Sequence, residues 1–164
     1  NAYYVGVTGG SFTEVSCMGM RSTAEHLQAE NNQFGNPFGT EIALFRTSEG
    51  GMARMAVSWD TPGVGGERGR IRTEKGTFYG EFQSGKKDAT SPAIARPPLP
   101  PGVAAGGHGG SHGYLMSEFI EAILLNRKPL VDVAQSLNMT VSGIVAHQSA
   151  LKDGELMNIP QYTL

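Results

Sequence analysis

In this 164-residue sequence, the side chains whose type and spacing best fit a chemical role are two histidines in a glycine-rich run. His108 and His112 lie in HGGSHGY, just before a segment with helical periodicity. An imidazole titrates near neutral pH, so it can hydrogen-bond to a substrate hydroxyl or exchange a proton with it. Glycine lets the backbone approach another molecule closely. We therefore predict that both histidines contact a substrate; the alternatives are loop histidines without a partner, or a histidine stacked at the helix start.

Two aromatic residues are further candidates for the same substrate. Tyr114 falls at the predicted helix start, where its hydroxyl could point at a substrate hydroxyl, although core packing is the more usual role. Trp59 ends a predicted strand beside Asp60 and could form an apolar platform for a substrate ring, with core or interface packing as the alternative. We predict substrate-binding roles for both. No catalytic, cofactor-binding or metal-binding residue is predicted in this chain.

Other reactive side chains favour structural roles. The His-x3-His spacing can bind a metal ion on a helix, but only two ligands are evident. His147 lies beside the apolar stripe of a later helix, where a hydrogen-bonded boundary histidine is expected. Cys17 is the only cysteine, which excludes an internal disulfide, and we expect a buried side chain. Glu118 and Glu121 lie on one helix side and are expected to be solvated, not paired for glycoside hydrolysis.

The charge balance excludes some classes of partner. The formal net charge is -2, which gives no electrostatic argument for nucleic acid or an anionic membrane surface. Arg68, Arg70 and Arg72 lie between two glutamates, which favours a charged strand face over a phosphate site. No run approaches the length of a transmembrane helix. The sequence begins at Asn1 without an initiator Met, so a cytoplasmic or exported location stays open.

Two helices are predicted to position these residues. The first runs from Tyr114 to Asn126, with Ser111 as its cap. The second begins at Asp132, followed by Gln135 at capping-box spacing, and ends at Asp153-Gly154. The side chains predicted to face the core are Leu115, Met116, Phe119, Ile120, Ile123, Leu124 and Leu125 in the first helix, and Leu137, Val141, Ile144 and Val145 in the second.

The rest of the sequence predicts a sheet. Strands are expected at Phe12 to Met20, in a hairpin from Ile42 to Trp59, in a second hairpin from Arg70 to Tyr79, and at Leu156 to Ile159 beside Pro160 as an edge strand. Residues 1–7 fit a helix tail or a strand equally well. Strands followed by helices predict an α+β fold, with an open antiparallel or mixed sheet and helices on one face. Residues 1–164 form one domain with a long Pro/Gly-rich loop at 84–113.

The order of these segments is similar to that of a known family. FTEVSCMG, AVSWDTPG, RIRTEKGTFYGE, HGGSHGYLMSEFIEAILLNRKPLVDV and GIVAHQSALKDGELMNIPQY resemble the C-terminal domain of Gfo/Idh/MocA NAD(P)-dependent oxidoreductases. The resemblance covers Phe12 to Tyr162. It implies a two-domain enzyme whose Rossmann half holds NAD or NADP. The other half lines a sugar or polyol site and often forms the dimer interface. The HGG at His108 is also similar to NAD-dependent glycosidases of the α-N-acetylgalactosaminidase type.

This chain departs from the complete family pattern. Gly63 to Gly69 looks like a dinucleotide loop, but a hairpin strand follows it, not a helix. The family's Glu-Lys-Pro motif and its histidine-bearing helix are absent. We therefore expect a substrate-binding and dimerisation domain, inactive without its Rossmann half and homo-oligomeric through the open sheet face. The alternatives are a domain of an NAD-dependent glycosidase and a non-catalytic assembly module.

Overall fold

The computed structural model describes residues 1–61, 66, 69–74, 76–79 and 98–164. Its helices are α1 (Ala2–Thr8), α2 (Ser111–Leu124) and α3 (Val133–Ala150). Its strands are β1 (Phe12–Arg21), β2 (Phe38–Thr47), β3 (Met52–Ser58), β4 (Arg70–Thr73), β5 (Gly76–Tyr79) and β6 (Met157–Asn158). Short 3-10 turns cover Glu25–Leu27, Ala29–Asn31 and His108–Gly110. The fold is α+β, as predicted, and residues 1–7 fall mainly in a helix.

Four strands form one antiparallel sheet in the order β3-β2-β1-β6. The β2–β3 hairpin turns at residues 48–51, where Gly50 has a φ of 78°, a conformation that glycine adopts without strain. The second predicted hairpin is present as β4–β5. Among the described residues it forms a two-stranded sheet separate from the main one. As predicted, β6 is an edge strand.

The core lies between α3 and one face of the main sheet. Val15 pairs with Phe45, and Cys17 with Ala43, so these four side chains share that face. The rings of Phe12 and Phe45 pack with their centroids 4.7 Å apart. The buried apolar cluster comprises Val5, Phe12, Val15, Cys17, Ala43, Phe45, Val145, Ala146, Ala150 and Ile159. This burial supplies the hydrophobic stabilisation of the fold.

The inner face of α3 differs from the prediction. Val145 is buried, but Leu137 and Ile144 are 37% and 52% exposed. Ser142 and Ser149 are fully buried instead, among alanines that let the helix approach the sheet closely. Ser149 Oγ accepts from the Cys17 backbone N–H at 2.9 Å and donates to the Glu155 carbonyl at 2.6 Å. Buried hydroxyls are tolerated here because they are hydrogen-bonded.

Helix α2 also differs from its prediction. It begins at Ser111, its N-cap is Gly110, and no side chain caps it, so the predicted Ser111 cap is wrong. The seven apolar side chains predicted to face the core are exposed, from 46% for Ile120 to 76% for Leu124. Periodicity correctly identified an amphipathic helix. It could not show that, in the described part of the chain, this apolar side is not covered.

The start of α3 follows the prediction. Asp132 is its N-cap and accepts a hydrogen bond from the Gln135 backbone N–H at 2.8 Å. Lys128 Nζ lies 2.8 Å from the other carboxylate oxygen and lowers the pKa of Asp132. The helix ends at Ala150, slightly before the predicted stop. The following turn reaches Gly154, whose φ of 86° is favourable for glycine.

Candidate functional site

The structure places the two candidate histidines side by side. His108 opens the 3-10 turn with a φ of 49°, and His112 is the second residue of α2. Their ring centroids are 5.1 Å apart. Both side chains are exposed. A hydroxylated ligand could therefore meet both imidazoles at once, and the substrate-binding role of the pair stays a prediction.

Glycines hold this loop against the helix start. The Gly113 N–H donates to the Ala105 carbonyl at 2.9 Å. A Cβ on Gly113 would lie 2.4 Å from the Ala104 carbonyl oxygen, which is too close for any larger residue. A Cβ on Gly107 would lie 3.2 Å from Cε1 of His112. The run of glycines, readable from the sequence, therefore lets residues 104–107 pack beside His112. We define residues 104–113 as the histidine loop.

The two aromatic candidates occupy different places. Tyr114 lies in the first turn of α2 and is half-buried. A Cβ on Gly110 would be 3.8 Å from its ring, so Tyr114 borders the histidine loop. Trp59 follows β3 and is 76% exposed. In the described part of the chain, no hydrogen bond or ring contact joins Trp59 to either histidine. The structure thus groups three of the four predicted residues, and Trp59 stands apart.

A hydroxyl cluster fixes the backbone beside Trp59. Asp60 accepts hydrogen bonds from Thr40 at 3.0 Å and Ser58 at 3.2 Å. Hydrogen bonds from Ser22 and Thr40 lower the pKa of Asp60. The Trp59 N–H donates to the Gly39 carbonyl at 2.9 Å. No local sequence motif predicts this cluster, because its members are far apart in the chain.

A cleft of about 230 Å³ opens between α3 and the sheet. Its lining includes Cys17, Glu41, Phe45, Met55 and Ala146. Burial raises the pKa of the Cys17 thiol to about 11, so it stays protonated and is a poor nucleophile at neutral pH. Cys17 is 1% exposed, which confirms the prediction of a buried side chain.

His147 has the boundary position that the sequence predicts. Its Nδ1 lies 2.6 Å from Oε1 of Glu41 on β2, so the pair ties α3 to the sheet. Its ring also meets the edge of Phe38 at a centroid distance of 6.1 Å. A structural role accounts for these contacts.

The sheet face opposite α3 is open and largely apolar. We define the open sheet face by its five large apolar side chains, which are between 48% and 75% exposed: Met18, Met20, Ile42, Leu44 and Met52. The register places Met18 beside Ile42, with a Glu14–Arg46 ion pair of 3.1 Å on the same face. Such a patch is typical of a contact surface. The homo-oligomeric partner expected on this face stays a prediction.

Some predictions fall outside the described residues. These are most of the Gly63–Gly69 run, Arg68 and the part of the Pro/Gly-rich loop before residue 98. Arg70 and Arg72 are exposed on β4, which agrees with a charged strand face. Within the described ranges, no helix has the length and hydropathy needed to cross a membrane. The same residues contain no group of three or more His, Cys, Asp or Glu side chains placed to hold a metal ion.

Comparison with known proteins gives structural matches only. No family model matches the sequence, and no curated protein matches it. An oxidoreductase domain protein from Kribbella flavida superimposes on 96% of this chain with a TM-score of 0.65 and 14% identity. Scyllo-inositol dehydrogenase from Lactobacillus casei, solved with NAD(H) and scyllo-inositol, superimposes on 94% of this chain with a TM-score of 0.63 and 16% identity. Aldose-aldose oxidoreductase from Caulobacter crescentus, complexed with glycerol, superimposes on 95% of this chain with a TM-score of 0.62 and 15% identity.

The chain has the fold of a Gfo/Idh/MocA C-terminal domain. At identities of 12% to 16%, the likeness shows the fold and not the activity. It confirms the resemblance at that level. The chain spans 48%, 44% and 44% of the lengths of the three matched proteins, so it corresponds to about half of each.

Proposed function

We propose that this chain is the substrate-binding and dimerisation domain of a Gfo/Idh/MocA-type NAD(P)-dependent oxidoreductase that acts on a sugar or polyol. A Rossmann half, elsewhere in a longer polypeptide, holds the NAD or NADP. The observation that carries the proposal is the superposition of 94% of this chain on less than half of a dehydrogenase solved with NAD(H) and scyllo-inositol.

The histidine loop supports a substrate-binding role. A polyol presents adjacent hydroxyl groups, which both donate and accept hydrogen bonds, and imidazole nitrogens can do the same. His108 and His112, 5.1 Å apart by ring centroid, can engage two such hydroxyls of one ligand. Tyr114 borders the loop and adds a phenolic hydroxyl. Trp59 would join this site only as an exposed platform reached by a larger ligand.

The division of chemistry follows from this placement. The nicotinamide supplies hydride transfer between its ring and a secondary alcohol or ketone. The residues described here bind and orient the hydroxyl groups of the substrate, which lowers the entropic cost of reaching the reactive geometry. The groups that would grip a dinucleotide belong to the other half. The isolated chain is therefore inactive.

The open sheet face supports the dimerisation role. It presents Met18, Met20 and Leu44 to solvent at 63%, 54% and 51% exposure. A twofold contact would cover this face with the same face of a second copy. Methionine side chains adapt to irregular surfaces, which suits a self-complementary interface. The glutamate–arginine pair at 3.1 Å would lie at its polar rim.

The test is an assay of the longer polypeptide with NAD⁺ and NADP⁺ and a panel of inositols and aldoses, read by nicotinamide absorbance. We expect turnover with at least one polyol. His108→Gln and His112→Gln each raise KM for it by about tenfold or more, the cost of one hydrogen bond to a substrate. His26→Gln, in a turn of the polar segment before β2, is the matched control and leaves KM unchanged.

Two results would contradict the proposal. Release of an aglycone from nitrophenyl glycosides without net NADH formation would identify an NAD-dependent glycosidase instead. Failure of the longer polypeptide to bind either nucleotide would leave the assembly module as the remaining function. The 164-residue chain alone serves as the negative control, and turnover by it would refute the assigned division of roles.

A further inference from the structure

The cleft between α3 and the sheet has a charged group at one end and apolar walls along the rest. Glu41, Ala43 and Phe45 alternate along β2, so all three line the cleft on the side that faces α3. In the register with β3, Glu41 lies opposite Val57, and Ala43 lies opposite Met55. The carboxylate is therefore at one end, and apolar walls extend from it over four residues of strand, about 13 Å.

The carboxylate of Glu41 is held in place by one of its two oxygens. Its side chain is 16% exposed, and Oε1 lies 2.6 Å from Nδ1 of His147. Among the residues that the structure describes, no hydrogen-bond donor lies against Oε2. When the imidazole is neutral, it donates to Oε1 and the pair keeps one negative charge. A largely buried carboxylate oxygen without a donor favours a ligand that brings one.

The rest of the cleft lining favours an apolar ligand body. Ala43, Phe45 and Ala146 are buried and form the floor, and Met55 and Val57 form the rim on β3. The described lining contains no lysine or arginine. An anion would therefore be repelled by Glu41 without a compensating positive charge, whereas a cation would be attracted. A donor with a positive charge, attached to a compact apolar group, matches both parts of the cleft.

We propose that this cleft binds a small primary ammonium compound with a compact apolar body. The nitrogen donates to Oε2 of Glu41, and the apolar body lies over Ala43 and Met55. The volume fits, because an apolar cavity of about 150 Å³ holds one benzene molecule, and this cleft of about 230 Å³ has room for a ring with a one-carbon ammonium arm. Sites for drug-sized ligands are larger, about 300–1,000 Å³.

This ligand would differ from the polyol proposed for the histidine loop, and the inference does not depend on the proposed function. A molecule in the cleft contacts Ala146 on α3 and Met55 on β3, so it bridges the helix and the sheet. A ligand that binds only the folded chain stabilises it by mass action. We therefore expect binding to raise the melting temperature of this domain.

The test is a titration of the longer polypeptide, labelled with ¹³C at its methionine methyl groups, with benzylammonium, benzyl alcohol and benzoate. The three probes share a ring and differ in charge. Benzylammonium should shift the Met55 methyl signal with a millimolar dissociation constant, as expected for so small a ligand. Benzyl alcohol should bind about tenfold more weakly, because a hydrogen bond between charged groups is the stronger one. Benzoate should not bind. The Met52 methyl group, on the open sheet face, is the internal control and should not shift.

Two variants test the assigned contacts. Glu41→Gln keeps the size of the side chain and a hydrogen bond to His147 but removes the charge. It should weaken benzylammonium binding about tenfold or more and leave benzyl alcohol binding unchanged. Glu30→Gln, an exposed carboxylate outside the cleft, is the matched control and should leave both unchanged. Val57→Phe, at a rim position that is 48% exposed, should fill the cleft and block every probe.

Three results would overturn the proposal. The first is a Met55 signal that does not move with about 10 mM benzylammonium, a concentration above the millimolar dissociation constant expected. The second is equal affinity for benzylammonium and benzyl alcohol, which would show that the cleft does not recognise the charge. The third is benzylammonium binding that survives both Glu41→Gln and Val57→Phe, which would place the ligand elsewhere.

Discussion

Replacement of Ser149 by alanine should destabilise the fold far more than its size suggests. The Ser149 hydroxyl is completely buried and joins three elements, since it accepts from Cys17 N–H in β1 and donates to the Glu155 carbonyl before β6. Alanine would leave a buried N–H and a carbonyl without this partner. An unsatisfied buried group costs about 1–3 kcal/mol. Alanine regains about 0.5 kcal/mol through its higher helix propensity.

The middle of the range for one unsatisfied group is about 2 kcal/mol, and subtracting the gain in helix propensity leaves an expected net loss of about 1.5 kcal/mol. For a domain of this size, it lowers the melting temperature by about 3–6 °C. Circular dichroism during thermal and urea unfolding measures the change. Ser136→Ala is the matched control, because Ser136 lies on the same helix and is exposed. Its expected effect is within about 0.5 kcal/mol of zero. Equal stability of the two variants would refute the role assigned to the buried hydroxyl.

Three further changes probe the thiol, α2 and the histidine loop. Burial raises the pKa of Cys17 from 9.0 to about 11, so folding stability should fall as pH rises across that interval, and Cys17→Ala should abolish this part of the pH dependence of urea unfolding. The hydrogen bonds from Arg127 and then from the Leu130 N–H lower the pKa of Glu118 from 4.5 to about 2. The stabilising charge is therefore present above pH 4.5 and lost as pH falls through about 2, and Glu118→Gln should increase amide exchange at residue 130 at neutral pH. Gly113→Ala would place a Cβ 2.4 Å from a backbone carbonyl, so it should displace the loop and raise KM for the polyol about tenfold or more while the melting temperature of the core stays nearly constant.

Local patterns in the sequence predicted much of the sheet and the start of α3. Strand β1 and the β2–β3 hairpin follow from alternation and from a turn with two adjacent glycines, of which Gly50 adopts a positive φ. Asp132 and Gln135 are close in sequence, so the hydrogen bond between them that caps α3 could be predicted. These features depend on neighbours within a few residues. The sequence carries that information directly.

Features that depend on distant contacts were predicted less well. Apolar periodicity placed Leu137 and Ile144 in the core, but the close approach of α3 to the sheet selects small residues, and Ser142 and Ser149 occupy it. The same periodicity identified an amphipathic α2 and could not show what covers it. His108 lies beside His112 with a positive φ, which a non-glycine residue adopts rarely and which no local sequence pattern signals.

The most direct test of the central claim is a crystal structure of the longer polypeptide with NAD(H) and a polyol bound. We expect the other half to hold the dinucleotide. We also expect a polyol hydroxyl within about 3 Å of an imidazole nitrogen of His108 or His112, the ordinary hydrogen-bond distance. A dinucleotide held by these 164 residues alone, or a polyol bound away from the histidine loop, would contradict the proposed function.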